Sequence, residues 1–172
     1  DKVNMFYLAK PTYGGWVTGT CHLMHNINQK VVYKIGSRVE NKLRDFGYGI
    51  KYQNVTPDAL TQLPNVCIQV LDRHHYQYFK YFNKPILILH DTIEVDYFKK
   101  HPDIIKVLKN CKRIITIRQK ITDYLKEVLD IDSEYLYHPF YKYSLPEQKE
   151  EKQGSVATSR IDWDKHTDII LQ

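Results

Sequence analysis

The chain has 172 residues, with 25 Lys and Arg against 20 Asp and Glu, a formal net charge of +5 and 42% hydrophobic residues. This balance excludes a disordered polyelectrolyte, and no apolar run approaches the ~18–20 residues that a membrane span needs. The length is enough to bury a core, and it fits one ordinary domain or one domain with part of a second.

The chain opens with a predicted strand, a glycine loop and a helix. Residues 3–9 form an apolar run of strand length, residues 10–15 interrupt it with a proline and two adjacent glycines, and residues 17–27 show helical spacing. Six more strand-like runs follow, at residues 31–35, 50–55, 66–71, 85–89, 113–117 and 135–137. Helical patterns or helix starts lie between them, at residues 37–43, 56–58, 76–82, 95–108 and 121–129.

This alternation of strands and helices predicts the fold class. Several strands are apolar along their whole length, which is typical of a parallel sheet covered by helices on both faces. We therefore predict an α/β fold with a Rossmann-like, doubly wound parallel sheet. Ligands of such sheets bind beyond the carboxyl ends of the strands. The segments predicted to lie there are residues 10–15, 72–75, 90–94 and 138–140.

The composition changes after residue 141. Residues 142–153 are polar and charged, and we interpret them as a linker or an exposed loop. Residues 154–172 contain one strand-like and one helix-like segment, which cannot bury a core of their own. They either pack on the domain formed by residues 1–141 or begin a second domain.

The cysteines favour a cytoplasmic protein. Cys21, Cys67 and Cys111 form no C-x-x-C pair, and their odd number at wide spacing argues against a disulfide framework and a cysteine-based zinc site. Because no secretory signal pattern is visible at the start, we expect a reducing, cytoplasmic environment.

Three groups of residues could carry chemistry. Gly14 and Gly15, between a strand and a helix, let the backbone approach an anion, although a plain tight turn explains them equally well. His90 ends a buried strand and could contact a substrate hydroxyl or relay a proton; a structural histidine is the alternative. Arg160 and Lys165 precede a predicted helix and suit a phosphate, or are an ordinary solvated pair.

Other histidines are poor candidates. The adjacent pair His74 and His75 would point in different directions and make a poor chelate, so surface positions are expected for them, as for His22 and His25. No metal site and no Ser-His-Asp or Cys-His set can be assembled from the spacing.

Taken together, these segments resemble the N-terminal domain of a GT-B glycosyltransferase, of the large retaining family that uses nucleotide-sugar donors (glycosyl transferases group 1). The matching segments are KPTYGG at 10–15, PILILHD at 85–91, RIITIRQKITDYL at 113–125, YHPF at 137–140 and SRIDWDK at 159–165. Two positions depart from the family pattern: Arg118 stands where serine is usual, and Ser159 where glycine is usual.

The resemblance implies roles for particular residues. Gly14 and Gly15 would approach the donor phosphates, His90 would contact the donor sugar as the catalytic-site histidine, and Arg160 and Lys165 would neutralise the diphosphate. A leaving nucleoside diphosphate gains negative charge, which cations and N–H dipoles stabilise. No metal and no cofactor are expected beyond the nucleotide-diphosphate sugar that serves as donor substrate.

The resemblance also predicts the extent of the enzyme. Residues 154–172 would be the start of a truncated nucleotide-sugar-binding domain. A full-length enzyme would then be a hexosyltransferase-like glycosyltransferase, and the 172-residue chain alone would be inactive. The acceptor is unidentified. The charge of +5 suits an anionic acceptor such as DNA, lipid or a phosphorylated glycan, with possible peripheral membrane contact and no transmembrane segment.

Two other hypotheses remain open at this point. The first is a non-catalytic Rossmann-like module that binds nucleic acid or protein through an aromatic, basic surface. The second is a sugar-nucleotide epimerase of similar two-domain shape, which the segment from Arg160 to Lys165 fits less well.

Overall fold

The computed structural model describes residues 2–8, 15–35, 49–71 and 73–138. These residues form a sheet of seven strands, every one parallel to its neighbours, in the order β3-β2-β1-β4-β5-β6-β7. The strands are β1 (Asn4–Leu8), β2 (Val31–Lys34), β3 (Lys51–Asn54), β4 (Val66–Leu71), β5 (Ile86–Leu89), β6 (Arg113–Thr116) and β7 (Glu134–Tyr135). The α/β fold class with a Rossmann-like parallel sheet is thereby confirmed.

Helices connect the strands. The α-helices are α1 (Gly15–Asn26), α2 (Thr92–Lys99), α3 (Pro102–Lys109) and α4 (Gln119–Leu129), and two 3-10 helices span Pro57–Gln62 and Arg73–Tyr81. The helical pattern predicted over residues 95–108 is divided between α2 and α3. Pro102 occupies the first turn of α3, where its missing N–H costs no hydrogen bond, and it cannot continue the preceding helix.

Both faces of the sheet are buried. Successive residues of a strand point to opposite faces, so Met5 and Phe6 of β1 belong to different hydrophobic clusters. Met5 packs in one cluster with Cys21 and Met24 of α1. Phe6 packs in the other, larger cluster, which includes residues of all three remaining α-helices. The sheet is therefore doubly wound.

The strand order places a switch point at the centre of the sheet. From β1 the chain moves outward through β2 to β3, and from β4 it moves outward in the other direction to β7. β1 and β4 are neighbours, so the connections diverge between them. In open α/β sheets the ligand crevice lies at the carboxyl ends of the strands near such a point.

Some predictions fall on residues that the structure does not describe. These are residues 10–14 of the predicted glycine loop at 10–15, the helix at 37–43, the linker at 142–153 and the segment 154–172. Within the described ranges, no helix combines the length and the apolar character that a membrane crossing demands.

Candidate functional site

The candidate site lies at the carboxyl edge of β5 and β6. Because parallel strands end at the same edge, the residue after β5, His90, lies close to the residues after β6 and β7. The rings of His90 and His138 have centroids 6.4 Å apart. Arg118, which precedes α4, is near enough to His90 for its positive charge to lower the pKa of the imidazole. Three nitrogen-bearing side chains, those of His90, His138 and Arg118, therefore lie near one another at this edge.

His90 is deeply buried at this position. Its side chain is 5% exposed, and its Nε2 lies 2.6 Å from the main-chain oxygen of Gln69 in β4. A carbonyl oxygen only accepts, so Nε2 carries the hydrogen and donates it. This bond ties the imidazole to the neighbouring strand β4.

The burial of His90 also determines its charge. Burial is the main cause that lowers its pKa, to about 4; the hydrogen bond to Gln69 opposes this shift, and the nearby His138 and Arg118 contribute to it. The imidazole is therefore neutral at pH 7. In the neutral ring one nitrogen donates and the other accepts, so Nδ1 is the acceptor. His90 at neutral pH can accept a hydrogen bond at Nδ1 but is a poor proton donor toward a ligand.

A capping box holds the backbone that carries His90. Asp91 is the N-cap of α2, and its Oδ1 accepts from the N–H of Ile93 at 3.2 Å. Glu94 Oε2 accepts from the N–H groups of His90 at 2.7 Å and Asp91 at 3.0 Å. These bonds satisfy amides that a helix start leaves without partners, and they fix the turn between β5 and α2.

Glu94 is an unusual carboxyl group for a helix start. Burial raises its pKa to about 7, while the hydrogen bonds from the amides of His90 and Asp91 oppose that shift. A carboxyl group that titrates near neutral pH and lies one turn from the strand-end histidine is suited to a functional site.

The turn after β6 is also fixed by side chains. Thr116, which is fully buried, donates its Oγ1 hydrogen toward the carbonyl of Arg118 at 3.2 Å, and its Oγ1 also hydrogen-bonds Thr122 Oγ1. The hydroxyl has one hydrogen, so the Thr122 hydroxyl donates when Thr116 bonds the carbonyl. Arg118 is thereby held at the start of α4 with its side chain exposed.

The structure describes only part of the predicted site. His90 lies at the predicted edge, and Gly15 is the first residue of α1, as expected for a glycine at a helix start. Gly14, Arg160 and Lys165 lie outside the described residues. His74 and His75 lie in the 3-10 helix Arg73–Tyr81. Among the residues that are described, no three His, Cys, Asp or Glu side chains cluster as a metal site would require.

Two residues of the site were missed from the sequence. Glu94 could have been found, because Asp91-x-x-Glu94 has the spacing of a capping box directly after an apolar strand. Gln69 could not have been found, since its bond to His90 depends on which strands are neighbours.

Comparison with models of known protein families gives no match for this chain, and comparison with curated protein sequences gives none either.

Proposed function

We propose that this chain provides the acceptor-side domain of a retaining glycosyltransferase, which moves a sugar from a nucleotide-diphosphate sugar to an acceptor. The observation that carries the proposal is the neutral, buried His90 at the carboxyl edge of an all-parallel sheet. The resemblance of residues 10–15, 85–91, 113–125, 137–140 and 159–165 to the group 1 glycosyltransferases adds the reaction class.

The charge state of His90 supports a contact with a sugar hydroxyl. Hydroxyl groups donate hydrogen bonds, and the neutral imidazole with Nε2–H committed to Gln69 is an acceptor at Nδ1. An imidazolium would instead attract the diphosphate. Burial therefore suits His90 to the sugar part of a donor molecule rather than to its phosphates.

Because His90 is neutral, other residues must supply the positive charge that stabilises the departing nucleoside diphosphate. When the bond between the anomeric carbon and the diphosphate oxygen breaks, the leaving group gains negative charge, which fixed cations stabilise. In the proposal Arg160 and Lys165 supply this charge, as the resemblance implies, and the helix start at Gly15 adds backbone N–H groups. Arg118, exposed near His90, is a further cation on the same edge.

The proposal is tested by titrating the isotope-labelled chain with UDP-glucose and GDP-mannose while its amide resonances are recorded. We expect shifts at the amides of His90, Asp91 and Thr116. The amides of Ile86 and Arg113, which begin strands β5 and β6 at the opposite edge, are internal controls and should not move.

The same titration with a single-stranded oligonucleotide distinguishes the proposed function from the main alternative, a module that binds nucleic acid. Shifts with the oligonucleotide and none with either nucleotide sugar would contradict the glycosyltransferase proposal and favour a nucleic-acid-binding module. In any preparation of the protein that transfers sugar, His90→Ala should lower kcat/KM by roughly two to three orders of magnitude, the usual loss for one well-placed contact in a dry site.

A further inference from the structure

Gln69 lies where strand β4 is irregular. On the side facing β1, Phe6 pairs with Ile68 but the next residue, Tyr7, pairs with Val70, so Gln69 is an extra residue in β4. Such a bulge leaves one residue out of the regular ladder and redirects its side chain, and bulges are frequent beside functional sites.

On the side of β4 that faces β5, the pairing also stops at this point. The pairing between β4 and β5 ends at Ile68 with Leu87, whereas β5 continues to pair with β6 as far as Leu89 with Thr116. The β4–β5 ladder therefore ends just before Gln69, close to the carboxyl edge of the sheet. Beyond it, the hydrogen bond from His90 Nε2 to the main-chain oxygen of Gln69 links the end of β5 to β4.

The side chain of Gln69 lacks the hydrogen bond that its burial requires. Gln69 is 3% exposed, and its Oε1 is fully buried with no hydrogen-bond partner in the part of the chain that the structure describes. Nearly all buried polar side-chain atoms in folded proteins have a partner, because an unpaired one has lost its water and gained nothing in return. A buried carboxamide oxygen without a partner, one residue beyond the end of the β4–β5 ladder, indicates that a ligand supplies the missing donor.

We propose that the Gln69 carboxamide binds a hydroxyl group of the sugar unit of the ligand at the carboxyl end of the β4–β5 ladder, an inference that rests on the proposed function. The missing partner must donate, since Oε1 only accepts. A deprotonated phosphate offers only acceptors and cannot satisfy it, whereas a sugar hydroxyl can donate to Oε1 and accept elsewhere. Gln69 and the neutral His90 then contact the same uncharged part of the ligand, and Gln69 contributes to the choice of sugar.

The test compares Gln69→Met with a matched control, Gln53→Met. Methionine has nearly the length of glutamine without its polar atoms. Gln53 is exposed in strand β3, so the same substitution there serves as the control. Both variants and the unmodified chain are examined for thermal stability and, by calorimetry or ligand-observed NMR, for affinity toward UDP-glucose, GDP-mannose, UDP and GDP.

The proposal predicts opposite effects on stability and binding. Gln69→Met should raise the Tm by about 2–4 °C, because an unpaired buried carboxamide oxygen is removed. It should lower the affinity for the preferred nucleotide sugar roughly tenfold and leave the affinity for UDP and GDP unchanged. Gln53→Met should change neither quantity.

Each other result contradicts the inference in a recognisable way. A Tm that does not rise in Gln69→Met shows that the amide has a partner within the fold. Equal nucleotide-sugar affinity in Gln69→Met and the unmodified chain removes Gln69 from the site and leaves the proposed function intact. If neither nucleotide sugar binds the unmodified chain, the proposed function fails and this inference fails with it.

Discussion

The low pKa of His90 predicts that this one side chain makes the protein sensitive to acid. The perturbation is His90→Gln, because the Nε2–H₂ group of glutamine can still donate to the main-chain oxygen of Gln69 but does not titrate. The imidazole has a pKa of 6.5 when unfolded and about 4 in the folded protein, since burial disfavours its charged form. The difference in the free energy of unfolding between the unmodified protein and His90→Gln therefore measures what it costs to protonate the buried imidazole.

The sign and the magnitude follow from proton linkage. The folded-state pKa is depressed, so the unfolded chain binds the proton more tightly, and stability falls as the pH decreases from 6.5 to about 4. A pKa difference of about 2.5 units corresponds to about 3 kcal/mol. Relative to His90→Gln, the unmodified protein should lose about this much free energy of unfolding across that range. Above pH 7 the difference between the two proteins should be constant.

Urea unfolding at half-unit pH intervals measures this difference. Subtraction of the variant's curve is essential, because Glu94 titrates in an overlapping range with the opposite sign and is present in both proteins. Parallel curves for the two proteins between pH 7 and pH 4 would refute the reasoning and show that the imidazole is hydrated or already charged. A two-bond ¹H–¹⁵N correlation spectrum at pH 7 adds an independent check, because it should show hydrogen on Nε2 and none on Nδ1.

Three further predictions concern the turn after β5 and the chain as a whole. Glu94→Gln should become more stable relative to the unmodified protein as the pH rises from 4.5 to about 7. Burial raises the folded-state pKa of Glu94, so its ionisation in that range destabilises the fold of the unmodified protein. A difference in unfolding free energy, measured with urea, that does not change with pH would count against a buried carboxyl group. Asp91→Ala should cost about 1 kcal/mol through loss of the α2 cap, whereas Asp103→Ala, at a helix whose cap makes no side-chain bond, should cost less in the same denaturation experiment. The 172-residue chain should transfer no radiolabelled sugar and bind nucleotide sugars weakly, since the resembled family holds most donor contacts in its second domain; measurable turnover would contradict that expectation.

Local sequence patterns determined much of this fold. The apolar run that contains β5 predicts a strand buried on both faces, and Leu87 and Ile88, which point to opposite faces, are indeed both buried. The proline at 102 marks the start of α3. These features depend on neighbours within a few residues, where periodicity and backbone chemistry act directly. The place of His90 at the carboxyl end of a strand follows from the same information.

The tertiary structure decided what those residues can do. The hydrogen bond from His90 to Gln69 joins residues 21 positions apart and exists only because β4 and β5 are neighbours in the sheet. That bond, together with burial, sets the tautomer and the charge of the imidazole, and burial raises the pKa of Glu94. Strand order, bulges and burial depend on long-range pairing, on which short-range periodicity carries no information. The sequence by itself determined the elements and the edge at which the candidate site lies, and only the packing of the strands determined its chemistry.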